Sequence, residues 1–235
     1  HAYAYLKISE GCDRRCAYCA IPFIRGAHKS VPMEQLEEEA SLLAAAGVKE
    51  LILIAQDTTY YGIDIYKKRS LAELIRRLSA IDGIEWIRIH YSYPADFPED
   101  VLVEMARNPK VCKYLDIPLQ HIPDKVLSMM HRPENGEWIR TLVRRLRDEV
   151  PEVVLRTTMI VGHPGEGKRD FEELLEFVRE ARFERLGAFT YSEEEGTYGA
   201  IHYRDRVPRH EKERRLSELM RSEERFSRNA ETDLV

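Results

Sequence analysis

Three of the chain's four cysteines lie close together near the start of the sequence, in the stretch EGCDRRCAYC. Cys12, Cys16 and Cys19 follow C-x3-C-x2-C spacing, and thiolates are ligands for zinc and for iron–sulfur clusters. A structural zinc site takes four ligands, but His28 is nine residues further on and Cys112 lies on another predicted strand. An iron–sulfur cubane has four iron corners, so three cysteines leave one iron open. We therefore predict that these three residues hold a cluster whose open position accepts a substrate.

Two other interpretations of the cysteines stay open at this point. His28 could complete a zinc site, or the thiols could be unliganded on the surface. We expect Cys112 to be a buried residue that fills space on its strand. Four cysteines, three of them within eight positions, do not resemble the disulfide framework of a secreted protein. This usage favours a reducing, cytoplasmic setting.

The elements that must position the cysteines alternate along the chain. Short β-branched runs predict six strands, and amphipathic stretches between and after them predict helices. The predicted strands are Ala4–Ile8, Glu50–Ala55, Trp86–Tyr91, Cys112–Ile117, Val153–Val161 and Leu186–Tyr191. The predicted helices are Met33–Ala46, Leu71–Ile81, Glu99–Ala106, Asp124–Met130, Glu137–Val150, Phe171–Ala181 and His210–Arg228. Strict alternation indicates an α/β domain with a parallel sheet and helices outside it.

The ends of the predicted strands distinguish an open doubly wound sheet from a barrel. Each strand finishes in polar or special residues, such as Gln56-Asp57, Gln120-His121 and the stretch Gly162 to Glu166. An open sheet concentrates its ligand residues at one switch point, whereas a barrel draws them from many strand ends. Polar or special residues at all six strand ends favour a barrel. With six strands, it would be a partial, three-quarter (β/α)6 TIM-like barrel.

Composition limits the other classes of protein. The 235 residues suit a single α/β barrel, with 43% hydrophobic residues for a core and 33% charged residues for the surface. A net charge of −5 predicts no direct nucleic-acid binding. The sequence contains no apolar run of about 20 residues, so no membrane span is predicted. The sequence opens as HAYAYLKIS, without a methionine or a signal peptide. We expect one domain, residues 1–235, cut from a longer protein.

The stretch GHPGEGKR, from Gly162 to Arg169, offers a rival function because it nearly fits the phosphate-binding loop of nucleotide hydrolases. Arg169 stands where that loop needs a hydroxyl for magnesium, and Pro164 removes an amide from a loop that works through its amides. The rival also gives the cysteines no role. A nucleotide hydrolase is therefore the weaker hypothesis.

The cysteine motif, with Tyr18 before its last cysteine and a strand before it, resembles that of the radical S-adenosylmethionine enzymes. The resemblance implies a 4Fe–4S cluster held by the three cysteines, with S-adenosylmethionine on the fourth iron. It also implies that one electron cleaves S-adenosylmethionine to methionine and a 5′-deoxyadenosyl radical. The stretch MIVGHPGE, from Met159 to Glu166, is similar to the family's turn beside the adenine, although His163 stands where phenylalanine is usual.

Further stretches resemble the methylthiotransferases within this superfamily: AIPFIRG, DIPLQH, LRTTMIVG and AFTYSEEEGT. ILIAQDTTYYG, from Ile52 to Gly62, is similar to the RimO type, which modifies a ribosomal protein, more than to the MiaB type, which modifies tRNA. The resemblance implies methylthiolation of the β-carbon of one aspartate in ribosomal protein S-twelve, with flavodoxin or ferredoxin as electron donor. It also implies an N-terminal domain with a second, auxiliary 4Fe–4S cluster and a C-terminal TRAM domain outside this fragment.

Residue roles follow from the resemblance where the motifs match. Besides the cluster ligands Cys12, Cys16 and Cys19, it implies a cosubstrate pocket and no separate catalytic residue. The predicted pocket residues are Tyr18, Gln56, Asp57, Gln120, Arg156, Thr158, Gly162 and Pro164. Structural alternatives are plain packing for Tyr18, a helix-capping turn for Asp57, a satisfied polar pair for Gln120 with His121, and a strand neighbour for Arg156.

Overall fold

A computed structural model describes residues 2–232 of the chain, with side chains up to residue 222. It groups them into two compact units. The first unit comprises His1–Asp13, Ile21–Ile117 and Leu146–Val153, and the second comprises Arg14–Ala20, Pro118–Arg145 and Val154–Val235, as far as they are described.

The described residues contain eight strands and ten α-helices. The strands are β1 (Tyr3–Lys7), β2 (Ser9–Glu10), β3 (Lys29–Ser30), β4 (Glu50–Ile54), β5 (Trp86–Ile89), β6 (Val111–Asp116), β7 (Val154–Val161) and β8 (Arg185–Thr190). The helices are α1 (Ile21–Arg25), α2 (Met33–Ala45), α3 (Ile63–Tyr66), α4 (Leu71–Ser79), α5 (Glu99–Arg107), α6 (Asp124–Met129), α7 (Gly136–Glu149), α8 (Lys168–Ala181), α9 (Tyr198–His202) and α10 (Arg209–Thr232). A 3₁₀-helix spans Thr58–Tyr60.

The first unit is built on a parallel sheet of four strands in the order β1-β4-β5-β6. Leu6 of β1 pairs with Leu53 of β4, and Leu53 pairs with Ile89 of β5, so three fully buried side chains lie in one row. Helices α2, α4 and α5 bury their apolar faces in the same unit, since their buried residues recur at helical spacing. Parallel pairing places the carboxyl ends of these strands at one edge.

The second unit contains the parallel pair β7 and β8, in register from Arg156 opposite Arg185 to Val161 opposite Thr190. Burial alternates along β7, so Leu155, Thr157, Met159 and Val161 share the buried face and Arg156, Thr158 and Ile160 share the half-exposed face. Helix α8 buries Phe171, Leu174, Leu175, Phe177 and Val178. Helix α10 contributes the fully buried Leu219.

The predicted elements are confirmed. The six long strands match their predicted positions within two residues at each end, and each predicted helix is present. The short elements β2, β3, α1, α3 and α9 were not predicted, because two to five residues give too little periodicity. Within residues 2–232, no helix is both long and apolar enough to cross a membrane.

Candidate metal and cosubstrate site

Cys12 lies in the first unit, directly after a short antiparallel pairing of β2 with β3. Its amide donates a hydrogen bond to the carbonyl oxygen of Gly26 (3.1 Å). Gly11 takes a φ of +80°, and a Cβ at this position would lie 2.1 Å from the carbonyl oxygen of Ala27. Only glycine permits this approach, so Gly11 fixes where the chain enters the cysteine segment.

Cys16 and Cys19 lie in the second unit, on a tight turn in which the Cys19 amide donates to the Cys16 carbonyl (3.1 Å). Ala17, between them, is fully buried and is held on both sides. Its amide donates to the carbonyl of Met130 (3.0 Å), and its carbonyl accepts from the amide of Gly199 (2.7 Å) at the start of α9. A Cβ on Gly199 would lie 2.9 Å from the same carbonyl oxygen, so glycine is needed here as well.

The chemistry of the donor set fits an iron–sulfur cluster. None of the four cysteines is in a disulfide, and each of the three in the motif is half-buried. Among residues 2–232, no group of three or more His, Cys, Asp and Glu side chains is placed to hold a metal ion. In a cubane each cysteine binds a different iron atom, so its ligands do not converge on one ion. Convergence of the three thiols on a cluster stays a prediction.

The structure gives His28 a different role from the zinc ligand that the sequence left open. Its Nε2 lies 3.0 Å from Oγ of Ser30, its ring packs edge-on against Tyr60 at 5.1 Å, and its amide donates to Asp13 (3.0 Å). The Ser30 hydroxyl in turn donates to Asp64 (2.6 Å). His28 is therefore part of a network within the first unit that holds β3 against α3.

The prediction that Cys112 is buried is wrong. Cys112 is half-buried on the face of β6 that carries Tyr114, where the guanidinium of Arg88 lies 5.1 Å from the Tyr114 ring centre. Burial raises the pKa of the Cys112 thiol, although the nearby Arg88 acts in the opposite direction. A strand exposes every second side chain to its other face, and the sequence did not show which face is covered.

Gln56 and Asp57 follow β4 in the first unit and make different contacts. The Gln56 amide nitrogen donates to Oε1 of Glu10 (3.1 Å), and its buried Oε1 has no hydrogen-bond partner among the described residues. Asp57 is buried, and its Oδ1 accepts from the amide and hydroxyl of Thr59 (3.0 and 2.6 Å). The capping turn anticipated for Asp57 is thus present, at the start of the 3₁₀-helix, and a cosubstrate contact of either residue stays a prediction.

Gln120 has an unusual backbone and a buried amide. Its φ is +71°, a left-handed value that costs a side chain other than glycine about 1 kcal/mol or more. The conformation is held because its amide donates to Thr158 (2.9 Å) and its carbonyl accepts from Ile160 (2.8 Å) of β7. Oε1 of Gln120 is buried and has no hydrogen-bond partner within residues 2–232. This oxygen is available to a ligand.

Arg156 and Thr158 share the half-exposed face of β7, beside Gly187 of β8. A Cβ on Gly187 would lie 3.8 Å from Oγ1 of Thr158 and 4.0 Å from Nη2 of Arg156. The register partner of Arg156 on the neighbouring strand is Arg185, which carries the same charge. The two predicted pocket residues are therefore brought together on one surface.

The turn from Gly162 to Glu166 is closed by its own carboxylate. Oε2 of Glu166 accepts the Gly162 amide (2.6 Å) and lies 3.1 Å from Nε2 of His121. Oε1 accepts from Arg215 of α10 (2.6 Å). Burial alone would raise the pKa of Glu166, but the hydrogen bonds and charges of His121 and Arg215 lower it overall. An anionic side chain therefore occupies the place where a nucleotide hydrolase would cradle phosphate, and that alternative is not supported.

Gly162 and Pro164 are buried and Tyr18 is half-buried. Gly162 has a φ of +75°, and a Cβ would lie 2.4 Å from Cγ of Lys212, so α10 covers that side of its backbone. Pro164 is buried, and its carbonyl lies 2.8 Å from Nδ1 of His163. Tyr18 is half-buried on the cysteine turn. Contacts of Tyr18, Gly162 and Pro164 with a nucleoside stay predictions.

The sequence reasoning missed Arg132 and Glu134, which lie beside the cysteine turn. The guanidinium of Arg132 is 4.0 Å from Sγ of Cys16 and 3.4 Å from the carboxylate of Glu134, and both side chains are almost fully buried. These residues are far from the motif along the chain. The sequence signal for these two residues was that an arginine and a glutamate stand close together in the stretch HRPEN, at a predicted helix end.

Comparison with known families decides between the interpretations of the cysteines. The profile of the Radical SAM superfamily matches residues 6–178. The chain belongs to the radical SAM superfamily. The interpretations of the cysteines as zinc ligands or as unliganded surface thiols are therefore not favoured.

Relatives within the superfamily are similar over most of this chain. The ribosomal protein uS12 methylthiotransferase RimO of Bacteroides thetaiotaomicron is 58% identical over 218 residues, which make up 93% of this chain and 50% of the relative. The protein of the same name from Porphyromonas gingivalis is 58% identical over 225 residues, 96% of this chain and 52% of the relative. The chain thus spans about half the length of these relatives, and its resemblance to the RimO type is confirmed.

Solved structures support the fold. The radical S-adenosylmethionine methyltransferase TsrM from Kitasatospora setae aligns with a TM-score of 0.69 at 18% identity, covering 85% of this chain and 38% of TsrM. The coproporphyrinogen III oxidase HemN from Escherichia coli aligns with a TM-score of 0.65 at 19% identity, covering 94% of this chain and 52% of HemN. The predicted fold class, the partial parallel α/β barrel of radical SAM enzymes, is confirmed.

Proposed function

We propose that this radical SAM chain is the core of a methylthiotransferase that acts on ribosomal protein uS12. The observation that carries the proposal is the 58% identity to relatives bearing that name, which extends over 93% of the chain. The cysteine motif and the predicted pocket residues fall within residues 6–178, which match the Radical SAM profile. The radical SAM fold and the RimO-type sequence therefore point to the same activity.

The cofactors of the proposed reaction are a 4Fe–4S cluster and S-adenosylmethionine. When bound, the cluster would supply the electron that cleaves S-adenosylmethionine, so that a 5′-deoxyadenosyl radical takes hydrogen from the aspartate β-carbon. Cys12, Cys16 and Cys19 would hold three of the irons. Support comes from the half-buried cysteines, none of which is in a disulfide, and from the hydrogen-bonded backbone of Ala17 between two of them.

Each unit, taken by itself, offers polar groups suited to the cosubstrate. In the second unit, the unpartnered Oε1 of Gln120 and the half-exposed side chains of Arg156 and Thr158 are suited to accept and donate hydrogen bonds to a nucleoside. In the first unit, Oε1 of Gln56 is a buried acceptor suited to an ammonium group. Asp57 stays a proposed cosubstrate contact, although Thr59 already donates two hydrogen bonds to its Oδ1.

The proposed partners are ribosomal protein uS12 as substrate and a flavodoxin or ferredoxin as electron donor, in the cytoplasm. A ribosomal target and an oxygen-sensitive cluster both suit that compartment. A tRNA substrate, as in the MiaB type, is the alternative.

The test uses the natural protein that carries this sequence, purified and reconstituted without oxygen. It is incubated with S-adenosylmethionine, a reductant and either a uS12 peptide that contains the target aspartate or tRNA. We expect the peptide, but not the tRNA, to gain the mass of one methylthio group, together with formation of 5′-deoxyadenosine. Modification of the tRNA alone would favour the MiaB-type alternative. A matched reaction with Cys16→Ser protein shows whether the product depends on the motif.

A further inference from the structure

A buried arginine lies directly beside one of the motif cysteines in the second unit. Arg132 follows α6, and its backbone is held because its amide donates to Leu127 (2.9 Å). Its Nη2 donates to the carbonyl of Pro118 (2.9 Å), which fixes the orientation of the guanidinium. Nη1 then lies 4.0 Å from Sγ of Cys16, at the limit of an N–H···S hydrogen bond. The side chain is only 2% exposed, so solvent does not screen its charge.

A carboxylate that also lies beside Arg132 partly offsets this charge. Oε2 of Glu134 lies 3.4 Å from Nε of Arg132, and the Glu134 side chain is also 2% exposed. Neither Glu134 oxygen has a hydrogen bond to any other described group, so this carboxylate interacts chiefly with Arg132. The guanidinium is thus close to two groups that carry or can carry negative charge. Arginine keeps its proton in such surroundings, which makes its charge permanent.

Electrostatics predicts in which direction Arg132 shifts the reduction potential of the cluster. An electron added to an iron–sulfur cluster makes the cluster more negative, and a fixed positive charge nearby stabilises that state. Cluster potentials respond to net charge, to hydrogen bonds on the sulfur atoms and to solvent exposure. Arg132 supplies charge and an N–H donor to Cys16 from a position that water does not reach.

We propose that Arg132 is a positioning residue that raises the reduction potential of the cluster bound by Cys16, and that Glu134 moderates this effect. The proposal rests on the proposed function, because it requires Cys16 to be a cluster ligand. It adds that Arg132 makes the cluster easier to reduce. The same contact also orients the Cys16 thiolate.

The experiment measures cluster midpoint potential rather than turnover. Reconstituted wild-type chain and variants are titrated with redox mediators, and the reduced cluster is followed by electron paramagnetic resonance. Glu134→Gln removes the moderating charge and should raise the potential. Arg132→Gln combined with Glu134→Gln removes the buried pair without leaving an unpaired carboxylate, and should lower the potential below wild type. We expect each change to alter the reduction equilibrium about tenfold, which is about 59 mV for one electron.

Arg15→Gln is the matched control, because Arg15 is adjacent to Cys16 in sequence but exposed to solvent. Its loss should shift the potential much less than either change at the buried pair. Arg132→Lys should retain part of the effect, since it keeps the charge and loses the fixed fork of donors.

The outcomes separate this inference from the proposed function. Wild-type chain that assembles no cluster under anaerobic reconstitution would overturn the proposed function. The role of Arg132 would be overturned by a different result. In that result the wild-type chain assembles a cluster, but the midpoint potentials of Glu134→Gln and of the double variant differ from wild type no more than that of Arg15→Gln does. If the double variant does not fold, Glu134→Gln decides alone: a raised potential supports the proposal, and an unchanged one overturns it.

Discussion

The carboxylate of Glu166 and the guanidinium of Arg215 form a buried ion pair at 2.6 Å that ties the turn after β7 to helix α10. Arg215 also donates to the carbonyl of Glu166 (3.1 Å), so it fixes both the backbone and the side chain of that residue. Because the same carboxylate holds the Gly162 amide, this pair shapes the turn that carries Gly162 and Pro164.

Arg215→Ala should strongly destabilise the chain, because the buried Glu166 carboxylate then loses its arginine partner and keeps only His121 as a neighbouring side-chain partner. Breaking a buried pair on one side costs about 3–5 kcal/mol of unfolding free energy. Arg214→Ala is the matched control, since Arg214 pairs with Glu211 and Glu218 on the exposed side of the same helix and its loss should cost far less stability. Denaturant unfolding of the two variants measures the difference. Equal losses would contradict a structural role for the buried pair.

Stability should depend on pH through His163. Burial is the main cause that lowers the pKa of His163, to about 4, in a site lined by the rings of Tyr191 and Tyr203. The unfolded histidine titrates near its ordinary pKa of 6.5. Folding therefore excludes a proton between these values, so the contribution of His163 is complete above pH 6.5 and is lost as pH falls towards 4.

His163→Phe should remove this dependence, which amounts to about 1.4 kcal/mol for each pH unit below 6.5. Unfolding free energies of both proteins at pH 7.5 and pH 5 provide the measurement. We expect wild type to lose more stability than the variant between the two values. The same loss in both proteins would mean that folding does not lower the pKa of His163.

Gly11→Ala should weaken the anchoring of Cys12. Gly11 and Gly26 both have left-handed backbones, with φ of +80° and +75°, so alanine strains either position by about 1–2 kcal/mol. At Gly11 the added Cβ would also lie 2.1 Å from a backbone oxygen, whereas at Gly26 nothing lies within 4 Å. We expect Gly11→Ala, but not Gly26→Ala, to reduce the iron bound after anaerobic reconstitution. Equal iron contents would show that the clash is relieved without moving Cys12.

Gln120→Leu separates stability from cosubstrate binding. The change removes a buried amide oxygen that has no partner among residues 2–232, so stability should stay equal or rise by about 1 kcal/mol. Affinity for S-adenosylmethionine should fall about tenfold if this oxygen binds the cosubstrate. Gln120→Gly also relieves the left-handed backbone, and it should likewise lose affinity. Unchanged affinity in equilibrium binding to both reconstituted variants would remove Gln120 from the pocket.

The sequence was sufficient to predict the fold class, the six main strands and the seven main helices, because each of these elements has a local hydrophobic periodicity. It did not reveal contacts between residues that are distant along the chain. Arg132 lies 116 positions from Cys16, and nothing near either residue indicates their contact. The role of Glu166 was missed for the same reason, since its partners His121 and Arg215 lie 45 and 49 positions away. Cys112 was misjudged because local pattern does not show which sheet face is covered.

The central claim is that three cysteines hold a cluster with one iron open to S-adenosylmethionine. The most direct test is electron paramagnetic resonance of the reduced, anaerobically reconstituted chain, with and without S-adenosylmethionine, in wild type and in Cys16→Ser and Cys112→Ser variants. We predict about four irons in wild type and in Cys112→Ser, a spectrum that changes when S-adenosylmethionine is added, and loss of that signal in Cys16→Ser. A zinc-containing protein without iron–sulfur absorbance, or a cluster spectrum that S-adenosylmethionine leaves unchanged, would contradict the claim.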